Sequence, residues 1–148
     1  MKKNNLNKII SVFGKVEERE LKNINIEQVL DIDTEMELED ISWKNYDYLQ
    51  NFPPIGRGNP EPKFLIKKAE IINCRTVGNG NKHLKLELIV FGKKSMVKKI
   101  NAIAFGMGDK SEALKKGNLV DLVFELIINE WNNNRNLEMK VIDMRLSL

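Results

Sequence analysis

The stretch His83-Leu84-Lys85-Leu86-Glu87-Leu88-Ile89-Val90-Phe91 decides the fold. Leu84, Leu86, Leu88 and Val90 fall on one side of an extended chain, and His83, Lys85, Glu87 and Ile89 on the other. That period of two is the mark of a strand with one buried face. Upstream lies a longer strand, Phe64–Val77, ended by the turn Gly78-Asn79-Gly80-Asn81. Downstream, Gly92-Lys93-Lys94-Ser95 turns the chain into Met96–Phe105, and Gly108–Gly117 reads as a short helix stopped by glycine. Leu119–Trp131 alternates again with Val120, Leu122, Phe124, Leu126 and Ile128 inward, Asn132–Arg135 is a turn, and Leu137–Leu146 is the last strand. The order β-β-β-α-β-β makes the chain mainly β with some α. It is the layout of a five-stranded OB-fold, a Greek-key barrel that often binds oligonucleotides.

The region before this barrel reads differently. Leu6, Ile9, Ile10 and Phe13 keep a helical period. In Val29–Leu38, Ile32, Met36 and Leu38 alternate with Asp31, Asp33, Glu35 and Glu37, which predicts a strand with four carboxylates on one face. Carboxylate oxygens suit Mg²⁺ or Mn²⁺, but the simpler reading is a half-buried strand whose acidic side is solvated and repels edge pairing. Asp40 or Ser42 is placed to cap a short helix carrying Trp43, Tyr46 and Leu49. All four prolines then fall between Pro53 and Pro62, a density no helix or central strand survives. Gly56-Arg57-Gly58-Asn59 could present amides to a phosphate, but it lacks the Lys-Ser/Thr of a P-loop; a rigid connector is the better reading. The expected organisation is an α+β segment over residues 1–50, a connector over 51–63 and the barrel over 64–148.

At 148 residues, with 42% hydrophobic and 30% charged side chains, the chain can bury a real core. Its longest apolar runs are far too short to span a bilayer, and the start lacks the apolar stretch of a signal peptide. A soluble, cytoplasmic protein without membrane contact is expected. One cysteine, Cys74, excludes an internal disulfide, and with the single histidine, His83, it cannot make a structural zinc site. Charge is divided unevenly. Residues 1–62 carry 8 Lys+Arg against 12 Asp+Glu (−4), and residues 63–148 carry 16 against 9 (+7). The basic excess sits on the barrel, a modest pointer to phosphate.

Several motifs in order resemble one family. Val77-Gly78, Lys82-His83-Leu84-Lys85-Leu86, Ala102-Ile103-Ala104-Phe105-Gly106-Met107-Gly108, Asn129-Glu130-Trp131-Asn132 and Val141-Ile142-Asp143-Met144-Arg145 resemble the OB domain of the RecJ single-strand-specific exonucleases. The connector Pro54-Ile55-Gly56-Arg57-Gly58-Asn59-Pro60-Glu61-Pro62 is similar to the family's Pro-Phe-Gly-x-Gly-Asn-Pro-x-Pro, with Ile55 in place of phenylalanine. Asp31-Ile32-Asp33-Thr34-Glu35 is similar to the end of its DHH-associated domain, so residues 1–50 would be a remnant of that domain. The family cuts DNA at a manganese or magnesium site built around a DHH motif, and this sequence has neither Asp-His-His nor Gly-Gly-His. The resemblance therefore implies a non-catalytic, single-stranded-DNA-binding tail of a RecJ-like exonuclease acting in DNA repair and recombination. It would need no cofactor of its own, with Mn or Mg confined to the missing catalytic domain. The alternative is a protein-interaction module docking on a RecJ-like catalytic core or another repair partner.

No Ser-His-Asp set or paired catalytic acids stand out, so the candidate residues are those of a nucleic-acid groove. Such grooves combine cations with stacking rings. His83, Lys85 and Phe91 lie on the outward side of the second barrel strand; Lys98, Lys99, Arg135, Lys140 and Arg145 would line neighbouring strands; Arg75 precedes the first turn. Lysines outnumber arginines 19 to 5, which suits backbone contact better than bidentate base reading. Trp131 is either a stacking platform or a lid on the barrel end, the second being preferred. Cys74 reads as a small core residue. A chain starting near Lys63 is expected to keep most of the binding.

Overall fold

The computed structural model describes residues 29–51 and 60–148, and Asp31–Leu148 forms one compact unit. The helical period at Leu6–Phe13 and the glycine loop at Gly56–Asn59 lie outside the described residues. The elements are β1 (Thr34–Glu35), α1 (Trp43–Gln50), β2 (Phe64–Val77), β3 (His83–Phe91), β4 (Val97–Ala104), β5 (Leu119–Trp131) and β6 (Asn134–Leu146). Around the barrel the order is β2-β3-β4-β6-β5, and β5 returns to pair with β2. All these pairings are antiparallel except β4–β6. The closed five-strand barrel is an OB-fold. Among the described residues no helix is long and apolar enough to cross a membrane.

Closure depends on β2 serving two neighbours. Its first half, from Phe64 to Glu70, pairs with β5, and its second half, from Glu70 to Val77, with β3. A strand can do this only by bending, and the register slips between Ile66 and Ala69 and again between Ile71 and Asn73. At the first bulge Lys68 takes a left-handed φ of 55°, and its N–H donates to Asp121 Oδ1 at 3.1 Å. The inward stripes read from the sequence meet inside. Leu84, Leu86, Leu88, Val120, Leu122, Phe124 and Met139 are all fully buried or nearly so, and the Phe64 and Phe124 rings tilt together at 6.0 Å.

Two expectations are corrected. The helix between the third and fourth barrel strands is a 3-10 turn, Gly108–Glu112, and not an α-helix. That segment has one buried apolar anchor, Leu114, too few for an amphipathic helix. Gly108 also sits where a Cβ would lie 2.0 Å from the Asn81 carbonyl oxygen, so the turn is packed backbone against backbone.

The second correction concerns residues 31–50, which belong to the same compact unit as the barrel. Only Thr34 and Glu35 make the ladder, parallel to Phe64 and Leu65, and Ile32 is exposed. Met36, Leu38 and Ile41 instead join the barrel core. Gly92 permits this approach: a Cβ there would meet the Leu38 side chain at 2.8 Å. Ser42 caps α1 by accepting from Asn45 N–H at 3.3 Å.

Candidate nucleic-acid interface

The outer face of β3, β4 and β6 is where strand register gathers side chains from distant parts of the chain. One row crosses it as Arg75, Lys85, Ile103, Lys140 and Glu125. The next row is Asn73, Glu87, Asn101, Glu138 and Ile127. Each lysine of the face has a carboxylate beside it: Lys99 to Glu87 at 2.6 Å, Lys140 to Glu125 at 2.8 Å and Lys85 to Glu138 at 3.7 Å. The hydrogen bond from Lys99 holds the Glu87 carboxyl below its ordinary range, and the bond to Glu125 raises the Lys140 ammonium. Glu61 is pushed up by burial and by its hydrogen bond with Glu125. The face is a checkerboard of cations, carboxylates and amides rather than a bare basic groove.

Glu138 stands out within it. It is 4% exposed, and its Oε1 is buried without a hydrogen-bond partner. The Lys85 ammonium, 3.7 Å from that oxygen, is its nearest charged partner, and a buried acceptor without a hydrogen bond is costly.

Rings border the face. Phe105 and His83 meet edge to face at 5.3 Å, and His83 Nδ1 accepts from Gly106 N–H at 3.0 Å. His83 is therefore pinned by the neighbouring turn and offers only its other nitrogen. Phe91 is exposed at the far end of β3. Trp131, at the end of β5, is 75% exposed, more open than the lid on the barrel end that the sequence reading preferred. Arg135 pairs with Glu130 at 3.1 Å and lies over the ring of Trp43 at 5.1 Å.

Two expected groove residues point elsewhere. Lys98 Nζ donates to the Ile41 carbonyl at 3.1 Å and ties residues 31–50 to the barrel end. Arg145 lies at the β5–β6 pairing, where its Nε reaches Asp121 Oδ2 at 3.2 Å. Burial pushes the Asp121 carboxyl up, but bonds from Ser147, Lys68 N–H and Arg145 outweigh it and leave the carboxyl below its ordinary value. The sequence reading missed Trp43, Asn101, Asn136 and the three glutamates of the face. Cys74, half-buried, has its thiol pushed up by burial.

The carboxylates of the acidic segment have partners within the chain. Asp33 accepts from Lys63 N–H at 2.8 Å, Glu35 pairs with Lys67 at 2.8 Å, Glu37 pairs with Lys93, and Asp40 accepts from Glu37 N–H at 2.8 Å. Their oxygens are spent on cations and amides. Among the described residues no group of three or more His, Cys, Asp or Glu converges on a metal position.

The chain is similar to several known proteins. Residues 32–143 match the family described as the RecJ OB domain. The chain is 25% identical over 119 residues to the single-stranded-DNA-specific exonuclease RecJ of Bacillus subtilis (strain 168), covering 80% of this chain and 14% of that protein. Among solved structures, RecJ from Thermus thermophilus in complex with Mg²⁺ is similar at 31% identity and a TM-score of 0.49, over 68% of this chain and 14% of that one. The second single-stranded DNA-binding protein of Mycobacterium smegmatis is similar at 19% identity and a TM-score of 0.49, over 58% and 88% of the two chains. The chain thus spans only 14% of the length of these two RecJ relatives.

Proposed function

The chain belongs to the RecJ OB domain family, and from that premise we propose that it grips single-stranded DNA for a RecJ-like exonuclease without performing hydrolysis. The observation that carries this reading is the row of Arg75, Lys85 and Lys140 across the outer face, bordered by exposed Phe105, Phe91 and Trp131. Spaced cations follow a phosphate backbone, and exposed rings accept unstacked bases; a duplex hides those bases. The ion-paired lysines refine the mechanism. An incoming phosphate takes the place of Glu87, Glu125 or Glu138 beside its lysine, so binding exchanges one partner for another. The DHH motif is absent from the sequence, and the fragment's place beside a metal-dependent catalytic core is part of this proposal.

Fluorescence anisotropy with a labelled oligo-dT strand tests the reading. Affinity should fall with salt at a log–log slope of about −0.7 per phosphate neutralised, so three to five contacts give roughly −2 to −4. Reversing Arg75, Lys85 and Lys140 together should weaken binding and flatten the slope, and a duplex of the same length should bind less tightly. The strand should survive long incubation with Mg²⁺ or Mn²⁺. Absence of binding at low salt would favour the protein-docking alternative.

A further inference from the structure

The β5–β6 hairpin and α1 build something the barrel alone does not have. Arg135, at the start of β6, lies with its guanidinium carbon 5.1 Å from the centre of the Trp43 ring. Its Nε is held by Glu130 Oε1 at 3.1 Å. Trp43 is in turn braced edge-on by Tyr46, at 6.1 Å and 79°. The start of α1 is tied down three times: Ser42 caps it, Asn45 Nδ2 donates to the Asp40 carbonyl at 2.9 Å, and Lys98 Nζ donates to the Ile41 carbonyl at 3.1 Å. Yet the Arg135 side chain remains 55% exposed. The guanidinium therefore lies over the indole and is still open to solvent.

Stability does not account for this arrangement. An ion pair this exposed contributes little, and so does a cation–π contact at the surface. What the contacts do fix is the position of a flat, charged group. Trp43 also lines a cleft with Lys99, Asn101 and Asn136, and Lys99 and Asn101 belong to the cationic checkerboard. A guanidinium plane stacks on nucleobases, and every base has a π-face to offer.

We propose that Arg135, held over Trp43, is a stacking platform for one unstacked base of a bound single strand, with Lys99 taking the adjoining phosphate. The site is composite, half from α1 and half from the barrel. This rests on the single-strand reading above, and it adds a position where the strand is held by the base. Because stacking is tolerant of base identity, the platform anchors without selecting sequence.

Trp131→Phe leaves Trp43 as the single tryptophan of the chain and keeps a ring at 131. That variant serves the emission measurement, its own affinity being read against the wild-type chain. The Arg135 and Trp43 substitutions are compared by anisotropy in the wild-type chain. Oligo-dT of about 12 nucleotides, within the usual span of one OB barrel, should change Trp43 emission as anisotropy reports binding. Arg135→Lys keeps the charge and loses the plane. It should weaken binding about 5- to 50-fold, as Trp43→Leu should, with melting temperatures and salt slope nearly unchanged. Trp43→Phe should restore most of the affinity. A strand that binds while Trp43 emission stays constant, or an Arg135→Lys variant of full affinity, overturns the platform and leaves single-strand binding intact. No binding by the wild-type chain at low salt removes both.

Discussion

Two buried carboxylates on the outside of the same barrel have opposite fates. Asp121 on β5 is 7% exposed and receives Lys68 N–H, Arg145 Nε and the Ser147 hydroxyl. Glu138 on β6 is 4% exposed, has one oxygen without a hydrogen bond, and reaches Lys85 only at 3.7 Å. Asp121 sits where β2, β5 and β6 close the barrel, and its donors include the bulge that lets β2 bend. Glu138 sits under the face offered to ligand. The difference teaches where this domain spends its polar contacts. It satisfies the acid at the closure of the barrel and leaves one oxygen of the other without a hydrogen bond, beside the cations proposed to change partners.

The largest expected effect removes one of the two regions while keeping the other. A chain starting at Lys63 retains Asp121 and its partners but loses Met36, Leu38 and Ile41 from the core, each worth about 1.5–3 kcal/mol when fully buried. Against a typical domain stability of about 5–15 kcal/mol, that chain should be largely unfolded or melt tens of degrees lower by circular dichroism. That outcome would run against the sequence-based expectation that a chain from Lys63 keeps most of the binding, and anisotropy on the shortened chain decides between the two. Next in size is Asp121→Ala, which strands the Lys68 N–H and should cost about 1–3 kcal/mol in urea unfolding. Arg145→Ala should cost less than about 1 kcal/mol, because that side chain is largely exposed.

Glu138→Gln is the complementary change. Losing a buried charge whose partner is distant should leave stability within about 1 kcal/mol of the parent. Combined with Glu87→Gln and Glu125→Gln, it should raise affinity for oligo-dT at low salt by roughly 3- to 30-fold, since three lysines no longer exchange a carboxylate for a phosphate. If Glu138→Gln instead destabilises as much as Asp121→Ala, the contrast between the two acids is false.

The same contrast marks what the sequence makes legible. Phe64–Val77, His83–Phe91 and Leu119–Trp131 can be delimited to the residue, because period-two alternation and flanking Gly and Asn turns are local signals. The barrel order followed from the order of elements. Residues 31–50 misled for a physical reason: Asp31, Asp33, Glu35 and Glu37 alternate like a strand, but Met36 and Leu38 are drawn to the barrel end by packing that no local pattern announces. Arg145 and Lys140 illustrate the limit for the site. Both are outward cations on one strand, yet a β-bulge and the partner strand's acid send Arg145 to the closing seam. Glu138 meeting Lys85 depends on the parallel β4–β6 pairing, a contact between residues 53 positions apart that emerges only on closure.

The smallest effect is the pH dependence, and the two regions should fail at opposite ends of the scale. Asp121 is held below its ordinary pKa in the folded state, against the burial that raises it, by Ser147, Lys68 N–H and Arg145. Its contribution is therefore present above the unfolded carboxylate pKa of about 3.9 and disappears as pH falls through the lower, folded value. Lys140 has its pKa raised by the bond to Glu125. Its contribution is present below the unfolded lysine pKa of about 10.4 and disappears as pH rises through the higher, folded value. Asp121→Asn should lie below wild type at neutral pH, the gap narrowing under acid conditions from about pH 4 downward. Lys140→Met should differ by only a few tenths of a kcal/mol at neutral pH, because that pair is partly exposed, and its curve should converge on wild type above about pH 10.5. Urea midpoints across the pH range measure both limbs. An acid-side gap that persists unchanged below about pH 3 would mean that Asp121 acts through its shape and not its charge, and the stapling role assigned to its ionised form would fall.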